Sequence, residues 1–166
     1  RQPDGQPYLR NSDLSSSEHD NFLKLRGITE RVSRLHLRGR EGPKHTPKFC
    51  RAAGERVLCN SQHSKSDEFV FLRAAHATDT RNYNIFNATR GKYCNVTGRD
   101  HFLSCTFDEE DAGVFLGMEN LGSGRIILSI APSVHDNNLW CREEDGVVKC
   151  DLKHVDTKTS EFFVTL

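Results

Sequence analysis

The chain is predicted to be all-β, and three observations support this. Short runs of β-branched and aromatic residues alternate with polar segments rich in Gly, Asn, Asp and Pro, which is the pattern of strands and turns. An aromatic residue directly before a cysteine occurs three times, and each time a second cysteine follows about ten positions later. All six cysteines belong to these pairs. The spacing indicates an internal repeat of about 45 residues.

The predicted strands follow the same order in each repeat. One apolar run precedes each cysteine pair, at residues 34–37, 83–86 and 125–130. A hairpin carries the pair itself, and a further apolar run follows it at residues 69–72, 114–116 and 162–164. Each run is about 4–8 residues long, which favours strands over helices. Every repeat is therefore predicted to contain four strands.

Three four-stranded repeats predict a β-trefoil over residues 32–166, with repeats at about 32–76, 77–122 and 123–166. A propeller has blades of similar size, but it typically needs at least about four of them to close. A β-sandwich does not need three copies of a repeat, so it is less favoured than the trefoil or the propeller. Residues 1–31 are rich in Ser, Pro, Asp and Gln and offer little apolar surface, so they are predicted to form a flexible N-terminal arm.

The third hairpin predicts how the cysteines pair. Asp145-Gly146 between two strands is typical of a two-residue hairpin turn, because both positions need positive φ. Pairing outward from this turn sets Cys141 opposite Cys150 at a non-hydrogen-bonded position, where the Cα atoms approach to about 4.5 Å. The first hairpin has the same register about Gly54-Glu55.

We therefore expect one disulfide in each hairpin: Cys50–Cys59, Cys94–Cys105 and Cys141–Cys150. The alternatives are buried free thiols, zinc ligation and disulfides between different repeats. Strand alternation places Phe49, Tyr93 and Trp140 on the opposite face from the cysteines, and these aromatics are expected to fill the core.

A full set of disulfides predicts an oxidising compartment. Two N-glycosylation sequons agree with secretion, and they make Asn87 and Asn95 candidate glycan acceptors. The chain lacks an initiator Met and an apolar leader, so a signal peptide is expected either to have been cleaved or to have been left out of this sequence. No segment has the ~18 apolar residues of a membrane helix. A secreted, extracellular glycoprotein without membrane insertion is predicted.

The net charge is zero, yet cations concentrate near the start of the predicted domain. Six of them form a candidate binding site for sulfated glycosaminoglycan or an acidic receptor surface: Arg31, Arg34, Arg38, Arg40, Lys44 and Lys48. The alternative is an ordinary solvated strand and loop. Nucleic acid is not expected as a partner, because the basic character is not sustained along the chain.

The sequence offers no catalytic constellation. The eight histidines form no metal-ligand motif, and Gly122-Ser123-Gly124 does not have the spacing of a nucleophile elbow. If every cysteine is bridged, no thiol nucleophile remains. The chain is accordingly predicted not to be an enzyme and to need no cofactor or metal.

Two segments resemble secreted trefoil families. Residues 139–148, in which an apolar strand meets a polar turn ending in Asp-Gly, are similar to the fibroblast growth factor pattern. Residues 114–118 followed by 127–129 resemble an interleukin-1-type join between repeats. The resemblance implies a cytokine- or growth-factor-like signalling ligand that binds a cell-surface receptor ectodomain through loops of the trefoil.

Two other functions compete with this interpretation. A carbohydrate-binding trefoil usually carries a repeated Gln-x-Trp motif, whereas here Trp140 is unique and that motif does not occur. A Kunitz-type protease inhibitor would insert an exposed loop such as 73–83 into its target, and this loop contains Arg73 and Arg81.

Overall fold

The computed structural model describes residues 34–39, 48–73, 82–120, 125–131, 137–156 and 160–165. Within them the chain is all-β, with two short 3₁₀ turns, η1 (His63–Lys65) and η2 (Glu109–Asp111). The strands are β1 (Leu35–Arg38), β2 (Phe49–Ala53), β3 (Arg56–Ser61), β4 (Glu68–Arg73), β5 (Asn82–Asn87), β6 (Lys92–Thr97), β7 (Phe102–Phe107), β8 (Phe115–Asn120), β9 (Arg125–Ile130), β10 (Leu139–Glu144), β11 (Val147–Leu152) and β12 (Glu161–Thr165).

The predicted strand order is confirmed. The apolar runs before the cysteine pairs fall in β1, β5 and β9, and the runs after them fall in β4, β8 and β12. The hairpins β2–β3, β6–β7 and β10–β11 lie between them and carry the cysteines. The predicted flexible arm, residues 1–31, lies outside the described residues.

Six strands form a closed cycle of antiparallel pairings. The order is β1, β4, β5, β8, β9, β12 and back to β1. Each hairpin attaches to the strand that directly precedes it in the sequence: β2 pairs with β1, β6 with β5, and β10 with β9. The hairpins also join one another, because β11 pairs with both β3 and β7. The three-repeat trefoil itself stays a prediction.

All six cysteines are bonded within their own hairpins, as predicted. In the third hairpin Cys141 stands opposite Cys150, and Asp145 and Gly146 both have positive φ (52° and 81°). The first hairpin pairs Cys50 with Cys59 in the same register. The bonded Cα atoms are 3.7–3.8 Å apart, closer than the expected separation. The second hairpin has a longer turn, and each of the three hairpins has a register shift beside its first cysteine.

The prediction for the core was wrong about which face of the hairpins is buried. The cysteines and the aromatics do lie on opposite faces, but the cysteine faces are buried, in one cluster with Leu37, Phe69, Phe115 and Phe162. The expectation that Phe49 and Trp140 fill the core is wrong, since both are only half-buried. Tyr93 is buried, but in a separate cluster with residues of β4 and β5. A disulfide is compact and apolar, so three of them can occupy the region where the hairpins meet.

Candidate functional site

We call the turns of the three hairpins, residues 54–56, 98–101 and 145–146, the hairpin face, because each of them contacts a neighbouring hairpin. Two of these contacts are backbone hydrogen bonds from a strand to a turn: the Cys59 amide donates to the Gly146 carbonyl (2.7 Å), and the Cys150 amide donates to the His101 carbonyl (2.8 Å). A disulfide closes each hairpin a few residues behind its turn. The turns are thereby held in fixed relative positions.

The hairpin face presents charged side chains of both signs. Among its exposed residues are Glu55, Arg56, Arg99, Asp100 and Asp145. Such groups on a rigid frame suit a partner with a complementary charge pattern, since they need little reordering on binding.

Next to these turns, one aromatic ring connects all three hairpins. The Phe102 ring of β7 lies under Arg56 of β3, whose Cζ is 4.2 Å from the ring centroid. Lys149 of β11 brings its Nζ to 5.4 Å from the same centroid. The ring attracts both cations through its quadrupole. No local sequence motif predicts this cluster, because its three members are far apart along the chain.

An ion-pair network stabilises the third hairpin. Arg142 donates from Nε to Asp151 Oδ1 (2.8 Å) and from Nη2 to Asp151 Oδ2 (2.9 Å), and its Nη1 donates to Glu144. Lys149 Nζ lies 3.5 Å from Glu144 Oε1. The hydrogen bonds from Arg142 lower the pKa of Asp151, and the same pairing raises the pKa of Arg142. The bidentate geometry fixes the two strands next to the turn.

The structure argues against the predicted glycan at Asn87. Its side chain is fully buried, and Nδ2 donates to Asp67 Oδ2 (2.8 Å). The same carboxylate oxygen accepts from the Ala52 amide (2.7 Å) and from Arg90 Nε (3.2 Å). The glycan would have to be attached to Nδ2, where there is no route to solvent. We therefore expect no glycan on Asn87 in the folded chain, where this asparagine completes a buried polar network.

Asn95 is in a different environment. It is half-buried in β6, with Nδ2 donating to the Asp111 carbonyl (2.9 Å) near the surface. Its Oδ1 lies 2.8 Å from the place where a Cβ on Gly113 would stand, so a glycine is needed there. A primary amide has two hydrogens, and the bond to Asp111 uses one. Glycosylation at Asn95 stays a prediction.

Three of the six predicted polyanion-binding cations are described, and each has a partner within the protein. Lys48 forms a largely buried ion pair with Glu143 of β10 (3.1 Å). Arg34 lies 3.9 Å from Glu68. Arg38 places its guanidinium 4.5 Å from the Phe163 ring centroid. The other three, Arg31, Arg40 and Lys44, lie outside the described residues. The Lys48–Glu143 pair thus joins the start of the first hairpin to β10 of the third hairpin.

Within the described part of the chain, no group of three or more His, Cys, Asp or Glu side chains could hold a metal ion. Nor does that part contain a helix with the length and apolar character to cross a membrane. Three disulfides indicate an oxidising compartment.

Comparison with known proteins adds no relative. No model of a protein family matches the chain, and no curated protein has a significantly similar sequence. Functional inference therefore depends on the residues and geometry described above.

Proposed function

We propose that the chain is a secreted β-trefoil whose hairpin face binds a cell-surface receptor ectodomain, as a cytokine or growth factor does. The trefoil is supported by the closed cycle of six strands, with one hairpin attached to the first strand of each segment. Secretion is supported by the three disulfides. The proposed ligand acts by binding and carries out no catalysis.

One observation carries the functional proposal. Three disulfide-bonded hairpins, joined by backbone hydrogen bonds, carry exposed charged residues in their turns. Function is commonly found on loops that a rigid scaffold positions. Rigid loops lose little conformational entropy on binding, so charged turns of this kind can recognise a folded partner with useful affinity.

The experiment compares two exposed cations that differ in position. Arg99 lies on the hairpin face, whereas Lys153 follows the far end of β11. Binding of the fluorescently labelled full chain to a panel of human and other animal cell lines would be measured and then repeated after surface trypsin treatment. We expect saturable, trypsin-sensitive binding that Arg99→Glu weakens about tenfold and Lys153→Glu leaves unchanged, since like charge across an interface is costly. Equal effects of both substitutions would refute the assignment of this face.

The same material tests the alternatives. Retention on a glycan array would favour a carbohydrate-binding module, and inhibition of trypsin-like proteases would favour a Kunitz-type inhibitor. The loop proposed for inhibition, 73–83, lies mostly outside the described residues. Sulfated glycosaminoglycan remains a proposed additional partner. Since Lys48 and Arg34 have acidic partners of their own, any such site is expected to depend on the other cations of the basic stretch.

A further inference from the structure

Two histidines from different elements stack on each other on the outer surface of the strand cycle. His36 belongs to β1 and His63 to the 3₁₀ turn η1, and their ring centroids are 4.0 Å apart with an interplanar angle of 40°. Phe49 of β2 meets both rings edge-on, at 5.1 Å from His63 and 6.3 Å from His36. This three-ring cluster is the contact through which η1 packs against β1.

Ser66 links the two histidines by hydrogen bonds. Its Oγ lies 2.7 Å from His36 Nδ1 and 2.8 Å from the His63 carbonyl oxygen. A serine hydroxyl has a single hydrogen, so it can donate to only one of the two. When His36 carries a proton on Nδ1, that group donates to Ser66 and the hydroxyl donates to the carbonyl. Protonation of His36 therefore breaks neither hydrogen bond. Any free-energy cost of protonating His36 must come from the new positive charge.

Two carboxylates from the described neighbouring elements act on His36. Glu68 of β4 is opposite it in register, and Asp67 precedes Glu68. These two carboxylates raise the pKa of His36, but burial and His63 lower it by more. Both carboxylates also have other cations beside them: Arg34 is 3.9 Å from Glu68, and Arg90 is 3.2 Å from Asp67.

Three further neighbours of the pair belong to the described part of the chain. Arg38 lies two positions along β1, and Lys65 lies on η1 itself, so the cationic character around the pair increases. Thr165 of β12, opposite His36 on the other side, does not titrate. The site can therefore accept one imidazolium, whereas a second one would face a like charge at contact distance.

We propose that His36 and His63 form a protonation switch: with at most one charge the pair holds η1 on β1, and double protonation in acid releases η1. Histidine is the side chain whose ordinary pKa lies in the mildly acidic range. For a receptor ligand, which is the proposed function, the switch would loosen this surface after uptake into an acidic compartment. The switch itself does not depend on that function.

The experiment measures amide protection by NMR hydrogen exchange on the full chain, corrected for intrinsic exchange, at pH 7.5 and 5.0. The reporters are the Lys65 and Ser66 amides, which donate within η1. The Asp111 and Ala112 amides donate within η2, a 3₁₀ turn without histidines, and serve as internal controls. We expect protection in η1 to fall roughly tenfold at pH 5.0 while protection in η2 is unchanged.

Two variants separate the switch from general acid sensitivity. His63 is exposed, so His63→Gln is expected to fold; it should abolish the pH response of η1 and raise the pKa of His36 in an NMR titration of the imidazole. His154→Gln, at an exposed histidine of the third segment, should respond like the unmodified chain. The proposal is overturned if η1 protection is the same at both pH values, or if His63→Gln keeps the full response. Loss of receptor binding in the hairpin-face experiment would leave this result unaffected.

Discussion

The Asn87 side chain belongs to the interior, where it connects Asp67 with the backbone after β5. Its Nδ2 donates to the Asp67 carboxylate, and its Oδ1 accepts from the Arg90 amide (2.9 Å). Replacing Asn87 by Ala leaves a buried carboxylate without one donor and a backbone amide without its acceptor. We expect Asn87→Ala to lower the free energy of unfolding by about 1–3 kcal/mol in urea titrations. Asn137→Ala, at an exposed asparagine, should change it by less than about 0.5 kcal/mol, and equal values for the two variants would refute the network.

The burial of Asn87 also predicts where carbohydrate is found. When the chain is produced in a secretory cell, glycopeptide mapping should find glycan on Asn95 and none on Asn87, because only Asn95 lies near the surface. Asn95→Gln should remove the whole enzymatically releasable glycan mass. A glycan attached to Asn87 in folded material would contradict the burial of this residue.

At the level of single elements, β10 and β11 are joined by the Arg142–Asp151 pair in addition to their disulfide. Because the folded pKa of Asp151 lies below its ordinary value of 3.8, the pair contributes stability above about pH 4 and loses it as pH falls through the lower folded value. Asp151→Asn should therefore lower the free energy of unfolding by about 1 kcal/mol at pH 7.

The pH dependence is the informative part of that measurement. The difference between Asp151→Asn and the unmodified chain should shrink as pH is lowered below about 4, since the native carboxylate is then protonated as well. Asp100→Asn, in the exposed turn of the second hairpin, is the matched control and should show little effect at any pH. A penalty for Asp151→Asn that stays constant down to pH 2 would show that charge is not its cause.

The disulfides stabilise the same hairpins mainly because they limit the conformations of the unfolded chain. Cys141 and Cys150 are separated by nine positions, so their bond closes a short loop. The Cys141→Ala, Cys150→Ala double variant should lose about 3 kcal/mol, and it should also expose part of the core cluster that both residues occupy. Chemical unfolding followed by tryptophan fluorescence measures this, with Trp140 as the only tryptophan. An unchanged midpoint would mean that the bond does not stabilise the fold by constraining the unfolded chain.

For the molecule as a whole, local patterns allowed prediction of the strands and hairpin registers but not of long-range contacts. The Asp145-Gly146 turn and the cysteine spacing were sufficient to predict that Cys141 faces Cys150, because register depends on neighbouring residues. The inward-facing side of each hairpin depends on how the hairpins meet, and alternation alone could not decide it. The Lys48–Glu143 pair joins residues 95 positions apart, and no local motif indicates such a contact.

The three hairpins, each closed by its own disulfide, are the feature on which the proposed trefoil, the hairpin face and the proposed secretion all depend. Non-reducing tryptic mapping with mass spectrometry tests them well, because trypsin sites lie between the cysteines of every pair: Arg51 and Arg56, Arg99, and Arg142 and Lys149. Each bond therefore joins two separate peptides after complete cleavage. We expect linked peptides for Cys50–Cys59, Cys94–Cys105 and Cys141–Cys150 only. Peptides linked between different hairpins, or cysteines that react with a thiol reagent in the native chain, would show that this architecture is wrong.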